Sequence, residues 1–166
     1  PSKTVRVVVP FPPGGATDSL ARQIAEHLSK RWGQSVLIEN KPGGNTIIGT
    51  DVVAKSAPDG HTLGIVTGSH VINPLLTKNL PYDTEKDITG VMLLTRFHMA
   101  VYAHPSFPAN NISELIEIAK KSPGKYSYAY ATTQTLLGTE LFNKSAGIQL
   151  RNIPYKGSAQ ALTDLL

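Results

Sequence analysis

Three short stretches of this chain combine small residues with hydroxyls or a carboxylate, and they are where chemistry could be done. They are residues 11–18 (Phe-Pro-Pro-Gly-Gly-Ala-Thr-Asp), 67–70 (Thr-Gly-Ser-His) and 131–135 (Ala-Thr-Thr-Gln-Thr). Glycine, serine and threonine let backbone amides and hydroxyls approach a ligand closely. Each stretch also opens into a helical pattern, and a helix N-terminus favours negative charge. The chemistry they suit is capture of a small anion. Asp18 runs against that trend, because its carboxylate would repel an anionic guest. It is either a helix cap or an acceptor for bound water or for a ligand amino or hydroxyl group. Phe11 follows Pro10 at a strand end, where a ring either packs or gates a pocket. Tyr155 sits in a comparable turn and is a further binding candidate.

Signals for catalysis are weak by comparison. Pro12-Pro13-Gly14-Gly15 matches neither the dinucleotide-binding glycine pattern nor the phosphate-loop pattern with its Lys-Ser/Thr. The histidines are His27, His61, His70, His98 and His104, with no i, i+4 pair to hold a metal. Among them only His70 lies at an expected site edge, as a hydrogen-bonded structural residue or as an acid–base group. No serine occupies a nucleophile elbow and no carboxylate pair is placed for acid–base work. The chain has 0 cysteines, which removes disulfides, thiolate metal sites and a cysteine nucleophile together. The reading is binding without catalysis, cofactor or metal. A small α/β enzyme acting on an anionic substrate, with His70 or Asp18 as its acid–base group, is the alternative. A ligand sensor for a signalling receptor would use the same pocket.

The elements that must position these stretches follow from hydrophobic periodicity. Residues 5–9 form a β-branched strand. Leu20, Ala21, Ile24, Ala25 and Leu28, extended by Trp32, form a helical stripe that Thr17 or Asp18 can cap and Gly33 can end. Residues 35–40 predict a second strand, 47–55 a short helix and 62–67 a third strand. An irregular connection through Asn73-Pro74 and Pro81-Tyr82-Asp83 leads to two further strands, 91–95 and 99–103. The pattern then restarts, with a helix capped by Ser113, a strand at 126–131, a helix at 136–146, a strand at 149–153 and a last helix to Leu166. Tyr126, Tyr128 and Tyr130 alternate along one strand and share a face, which predicts packing against a helix. Strands alternating with helices give an α/β fold with mostly parallel sheets flanked by helices. The restart divides it into a first lobe at 1–103 and a partial second lobe at 104–166.

At 166 residues and 40% hydrophobic, 17% charged, the composition is that of a globular protein with ample core. The net charge of +4 is modest, and Lys30-Arg31 and Lys120-Lys121 sit at helix ends, where they complement the dipole. That argues against a nucleic-acid surface and leaves a mildly positive field suited to an acidic small molecule. No run of eighteen apolar residues is present to span a membrane.

Taken together, the words along the chain resemble the substrate-binding proteins of tripartite tricarboxylate transporters, also called the Bug family. They are residues 11–18 with Ala21-Arg22, then Gly33-Gln34, Glu39-Asn40-Lys41-Pro42-Gly43 and Val53-Ala54. Pro58-Asp59-Gly60-His61-Thr62-Leu63, Ile72-Asn73-Pro74 and Pro81-Tyr82-Asp83 follow. Glu114-Leu115-Ile116, Ala119-Lys120, Pro123-Gly124-Lys125 and Pro154-Tyr155-Lys156-Gly157-Ser158 complete them. The resemblance implies a monomeric, exported periplasmic binding protein of the two-lobed type II kind, with its signal peptide removed. Its lobes would close over a small organic carboxylate (a dicarboxylate, aromatic acid or amino acid) and deliver it to a membrane permease. By position, Gly15, Ala16 and Asp18 would hold one carboxylate through backbone amides and ordered waters, joined by Thr67, Gly68 and Ser69. Thr132, Thr133 and Thr135 would meet the ligand's other end. Three departures stand out. The stretch at 130–137 is about four residues shorter than its family counterpart, with Leu136 at the place of a usual histidine. Asn45-Thr46 replaces two glycines. Family chains also run well beyond residue 166, so the second lobe is expected to be incomplete at its C-terminus.

Overall fold

A computed structural model describes residues 1–166, and the chain divides into two units, Pro1–Met92 and Leu93–Leu166. The first unit is built around strand β1 (Val5–Val9). It is flanked by β2 (Val36–Asn40) and β3 (Thr62–Gly64), in the order β2-β1-β3. Both pairings are parallel, with Val5 opposite Val36, Val9 opposite Asn40 and Val8 opposite Gly64. A central parallel strand is covered on both faces and reads as a continuous β-branched run, which is the character of Val-Arg-Val-Val-Val.

Helix α1 (Ala16–Trp32) lays Ala21 and Ala25 against Val5, Val7, Val9, Val36 and Ile65. Leu28 and Trp32 extend that contact, as the helical stripe requires. The helix ends at Gly33, whose φ of 64° is the left-handed cap geometry glycine adopts freely. Helix α2 (Ile47–Ala54) packs against β1 and β3. Its Gly49 is required by close approach: a Cβ there would lie 2.7 Å from the Pro10 Cβ and 2.8 Å from the Lys41 carbonyl oxygen. Helix α3 (Gly68–Leu76) completes the unit.

The second unit is lighter. Strands β4 (Ser127–Tyr130) and β5 (Arg151–Pro154) pair in parallel, Ser127 opposite Arg151 and Tyr130 opposite Pro154. They are accompanied by α4 (Ile112–Lys121), α5 (Thr133–Ala146) and α6 (Ser158–Leu165). The tyrosine face meets a helix as expected: the Tyr128 hydroxyl donates to Glu140 Oε1 on α5 at 2.5 Å. No helix of the chain is long and apolar enough to cross a membrane.

Several expectations differ from what forms. Strands do not form at 91–95 or 99–103; Val91, Met92, Phe97, Val101 and Tyr102 are exposed there. A strand exists only where its backbone groups find a neighbouring ladder, and β-branched and aromatic content does not supply one. The third strand stops at Gly64, and after three intervening residues the chain turns into α3. That helix continues through Asn73-Pro74, where an irregular connection was expected. Buried Asn73, at 2% exposure, anchors it there. Helix α4 begins two residues early, because Asn111 rather than Ser113 is its cap. The Asn111 side-chain oxygen accepts from the Glu114 N–H, and the Glu114 carboxylate accepts in return from the Asn110 N–H.

Candidate functional site

The three strands of the first unit are parallel, so their C-terminal ends share one edge of the sheet, where ligands of open α/β sheets gather. Three junctions leave from that edge: residues 10–15, 41–46 and 65–67. The first passes through Gly14 at φ 87° and reaches Gly15, the N-cap of α1. Thr17 and Asp18, the caps expected from the sequence, therefore lie inside the first turn, two and three positions past the observed cap.

Asp18 is 2% exposed, and its carboxylate is fully engaged within the protein. Oδ2 accepts from the Gly14 N–H at 2.9 Å and from Arg22 Nε at 2.9 Å. Oδ1 accepts from Asn40 Nδ2 at 2.8 Å. The same Nδ2 donates to the Phe11 carbonyl at 3.0 Å, and Arg22 Nη2 donates to Asn40 Oδ1 at 3.2 Å. The Arg22 guanidinium, with the Gly14 and Asn40 donors, outweighs burial and holds the Asp18 carboxyl at about 2. Its internal task is thus to set the shape of the turn at 11–15. Arg22 and Asn40 carry part of the family resemblance, but their residue types alone do not mark them as shaping this turn. The i, i+4 spacing of Asp18 and Arg22 was the available signal; Asn40 gives none until β2 is placed beside β1.

The junction after β3 has the opposite character. Thr67 is the N-cap of α3, yet its side chain makes no cap hydrogen bond. Its Oγ1 is buried without a partner, and so is Oγ of Ser69, which is 0% exposed. His70 stacks on Tyr82 with ring centroids 6.2 Å apart. Burial pushes the imidazole below its ordinary pKa, against a smaller opposing effect from the Thr84 backbone, so the ring is neutral at pH 7. Unpartnered hydroxyls beside a helix N-terminus have the polarity that suits negative charge.

The junction after β2 contains the turn at 43–46, with four successive positive φ angles from Gly43 to Thr46 (124°, 55°, 52° and 77°). Its Asn45 carbonyl accepts from Asn73 Nδ2 of α3 at 2.8 Å. For β-branched Thr46 this backbone is strained.

In the second unit, Thr132 is the N-cap of α5. Thr132 Oγ1 accepts from the Thr135 N–H, and Thr135 Oγ1 from the Thr132 N–H, each at 3.2 Å. Thr133 is buried behind them. Tyr155 donates from its hydroxyl to Asp164 Oδ2 at 2.8 Å. A recess of about 460 Å³ lined by Ala119, Asn143, Gly147 and Ile148 lies at the C-terminal ends of α4 and α5. Helix C-termini present carbonyl oxygens, which is the wrong polarity for an anion.

Residues 20–166 match the family of tripartite tricarboxylate transporter family receptors. Protein BugT of Bordetella pertussis is 36% identical over 100% of this chain and 52% of its own length. A Rhodopseudomonas palustris protein solved with adipate superposes with a TM-score of 0.89 at 37% identity, over 99% of this chain and 56% of the other. MatC from the same species, with bound malate, gives 0.85 at 32%, over 99% and 57%. The chain spans about half the length of the curated relatives it matches. The chain belongs to the tripartite tricarboxylate transporter receptor family.

Proposed function

We propose that this chain is the ligand-capturing part of a periplasmic receptor that binds a small organic carboxylate for a membrane permease. The observation that carries the reading is Ser69: a fully buried, unpartnered hydroxyl at the N-terminus of α3, at the strand-end edge of the sheet. A buried polar atom left unpaired within a fold is costly, and an oxyanion would satisfy it. Thr67 Oγ1 beside it suits the same guest, with Gly15, Ala16, Gly68 and the Phe11 ring offered as further contacts from the two junctions of this edge. Thr132, Thr133 and Thr135 offer a second helix N-terminus of the same polarity, and Tyr155 a further hydroxyl. Solved family members hold adipate and malate, so dicarboxylates are the first class to test.

The reading is non-catalytic. A carboxyl held at about 2 and saturated by three donors is a poor general base at neutral pH, since efficient bases have pKa values near the working pH. Asp18 therefore serves structure and not proton transfer.

Thermal denaturation of the natural full-length protein against mono- and dicarboxylates tests the proposal. A true ligand at 100 times its Kd stabilises by about 2.7 kcal/mol. Absence of a shift with every carboxylate would overturn it.

A further inference from the structure

We infer that Asn40 and Asn73 are positioning residues: two amide clamps that lock the three strand-end junctions of the first unit into one prebuilt receptor edge. The inference rests on the carboxylate-binding reading above. Neither residue is offered as a ligand contact. Asn40 is the last residue of β2, and its Nδ2 bridges two parts of the first junction, the Phe11 carbonyl and Asp18 Oδ1. Its Oδ1 in turn accepts from Arg22, closing a ring of hydrogen bonds with Asp18. The turn at 10–15 is thereby tied across to the neighbouring strand.

Asn73 does the same at the other end. It is buried in α3 and donates to the Asn45 carbonyl at 2.8 Å. That carbonyl precedes Thr46, whose φ of 77° is strained and persists only where surroundings over-determine it. The junction at 41–46 is consequently fastened on both sides, to the first junction through Asn40 and to α3 through Asn73. All of these bonds are internal to the chain. Fixing loops in their binding geometry removes an ordering cost from association.

Preorganisation has a kinetic signature that a merely structural role lacks. If a clamp is lost, only a fraction of molecules holds the competent edge, and the apparent Kd rises by the inverse of that fraction. The association rate falls while the dissociation rate stays near its wild-type value. Asn40→Ala and Asn73→Ala in the full-length protein, titrated with adipate and malate by stopped flow, are each expected to slow association about tenfold, the scale of one lost hydrogen bond of this kind. Val5→Ala, at the opposite end of β1, is the stability-matched control and should leave both rates unchanged. Faster dissociation with unchanged association would make the asparagines direct contacts and overturn the inference, as would unchanged rates. If wild type binds neither acid and no other carboxylate shifts its melting, the carboxylate reading fails on its own. The clamps remain testable by amide exchange: the Gly14 N–H, bonded to the Asp18 carboxylate that Asn40 holds, should exchange faster in Asn40→Ala than in wild type, and unchanged exchange would overturn the Asn40 clamp.

Discussion

The two units present the same device, a helix N-terminus at the end of a parallel strand, by different means. In the first, the turn at 11–15 is shaped by a local pair on α1, Asp18 and Arg22, together with Asn40 on β2, 22 residues from Asp18. In the second, α5 is capped by Thr132 and Thr135, three residues apart and bonded to one another. The first arrangement cannot form until β1 and β2 are paired. The second needs only one helical turn. The difference extends to the core: Val5, Val8 and Val9 of β1 are buried, whereas all of β5 is exposed. A long-range network on a buried strand is rigid and sensitive to single changes. A local cap is modular and tolerant of them.

Asp18→Ala should break the comparison most severely. It removes the acceptor of the Gly14 N–H and one of the two Asn40 acceptors within a buried site, and should cost about 3 kcal/mol in urea unfolding. A loss no greater than that of a surface substitution would place the first junction on the same local footing as the second.

A smaller effect is expected from acid. The Asp18 carboxyl titrates at about 2 in the folded protein and near 3.9 in the unfolded chain. Its contribution is therefore present in full above about pH 5 and is lost as pH falls towards 2, on the order of 2 kcal/mol in all. The stability difference between wild type and Asp18→Asn should shrink across that window and stay level from pH 5 to 8.

Thr132→Ala should cost about 1 kcal/mol, the usual worth of an N-cap, and its effect should be confined to amide exchange in the second unit. The smallest change should be a gain. Thr46→Gly relieves a left-handed β-branched residue, and the net should be about 0.5 kcal/mol after the added freedom of glycine in the unfolded chain is subtracted. Thermal melts resolve both signs.

This contrast also sets what the sequence discloses. The α/β alternation, the valine strand and the α1 stripe ending at Gly33 follow from local patterning, and they form. Turn chemistry marked the junctions at 11–18, 67–70 and 131–135, since Gly, Ser and Thr speak for themselves at strand ends. The Asp18 network stayed hidden because Asn40 is 22 residues away and meets it only through parallel pairing. The same holds for Asn73 and Asn45, 28 residues apart. Residues 91–103 mislead in the other direction, because apolar alternation signals a strand without saying whether any ladder is there to receive it.

Carboxylate capture at the α3 junction is tested most directly through Ser69. Its hydroxyl has no partner within the protein, so Ser69→Ala should leave folding stability unchanged or slightly raised. Titration calorimetry of the full-length protein with adipate and malate should show saturable binding to at least one of them, weakened about tenfold by Ser69→Ala, the scale of a hydrogen bond to a charged group. Undiminished affinity in Ser69→Ala, or a wild type that binds no carboxylate, would contradict the account.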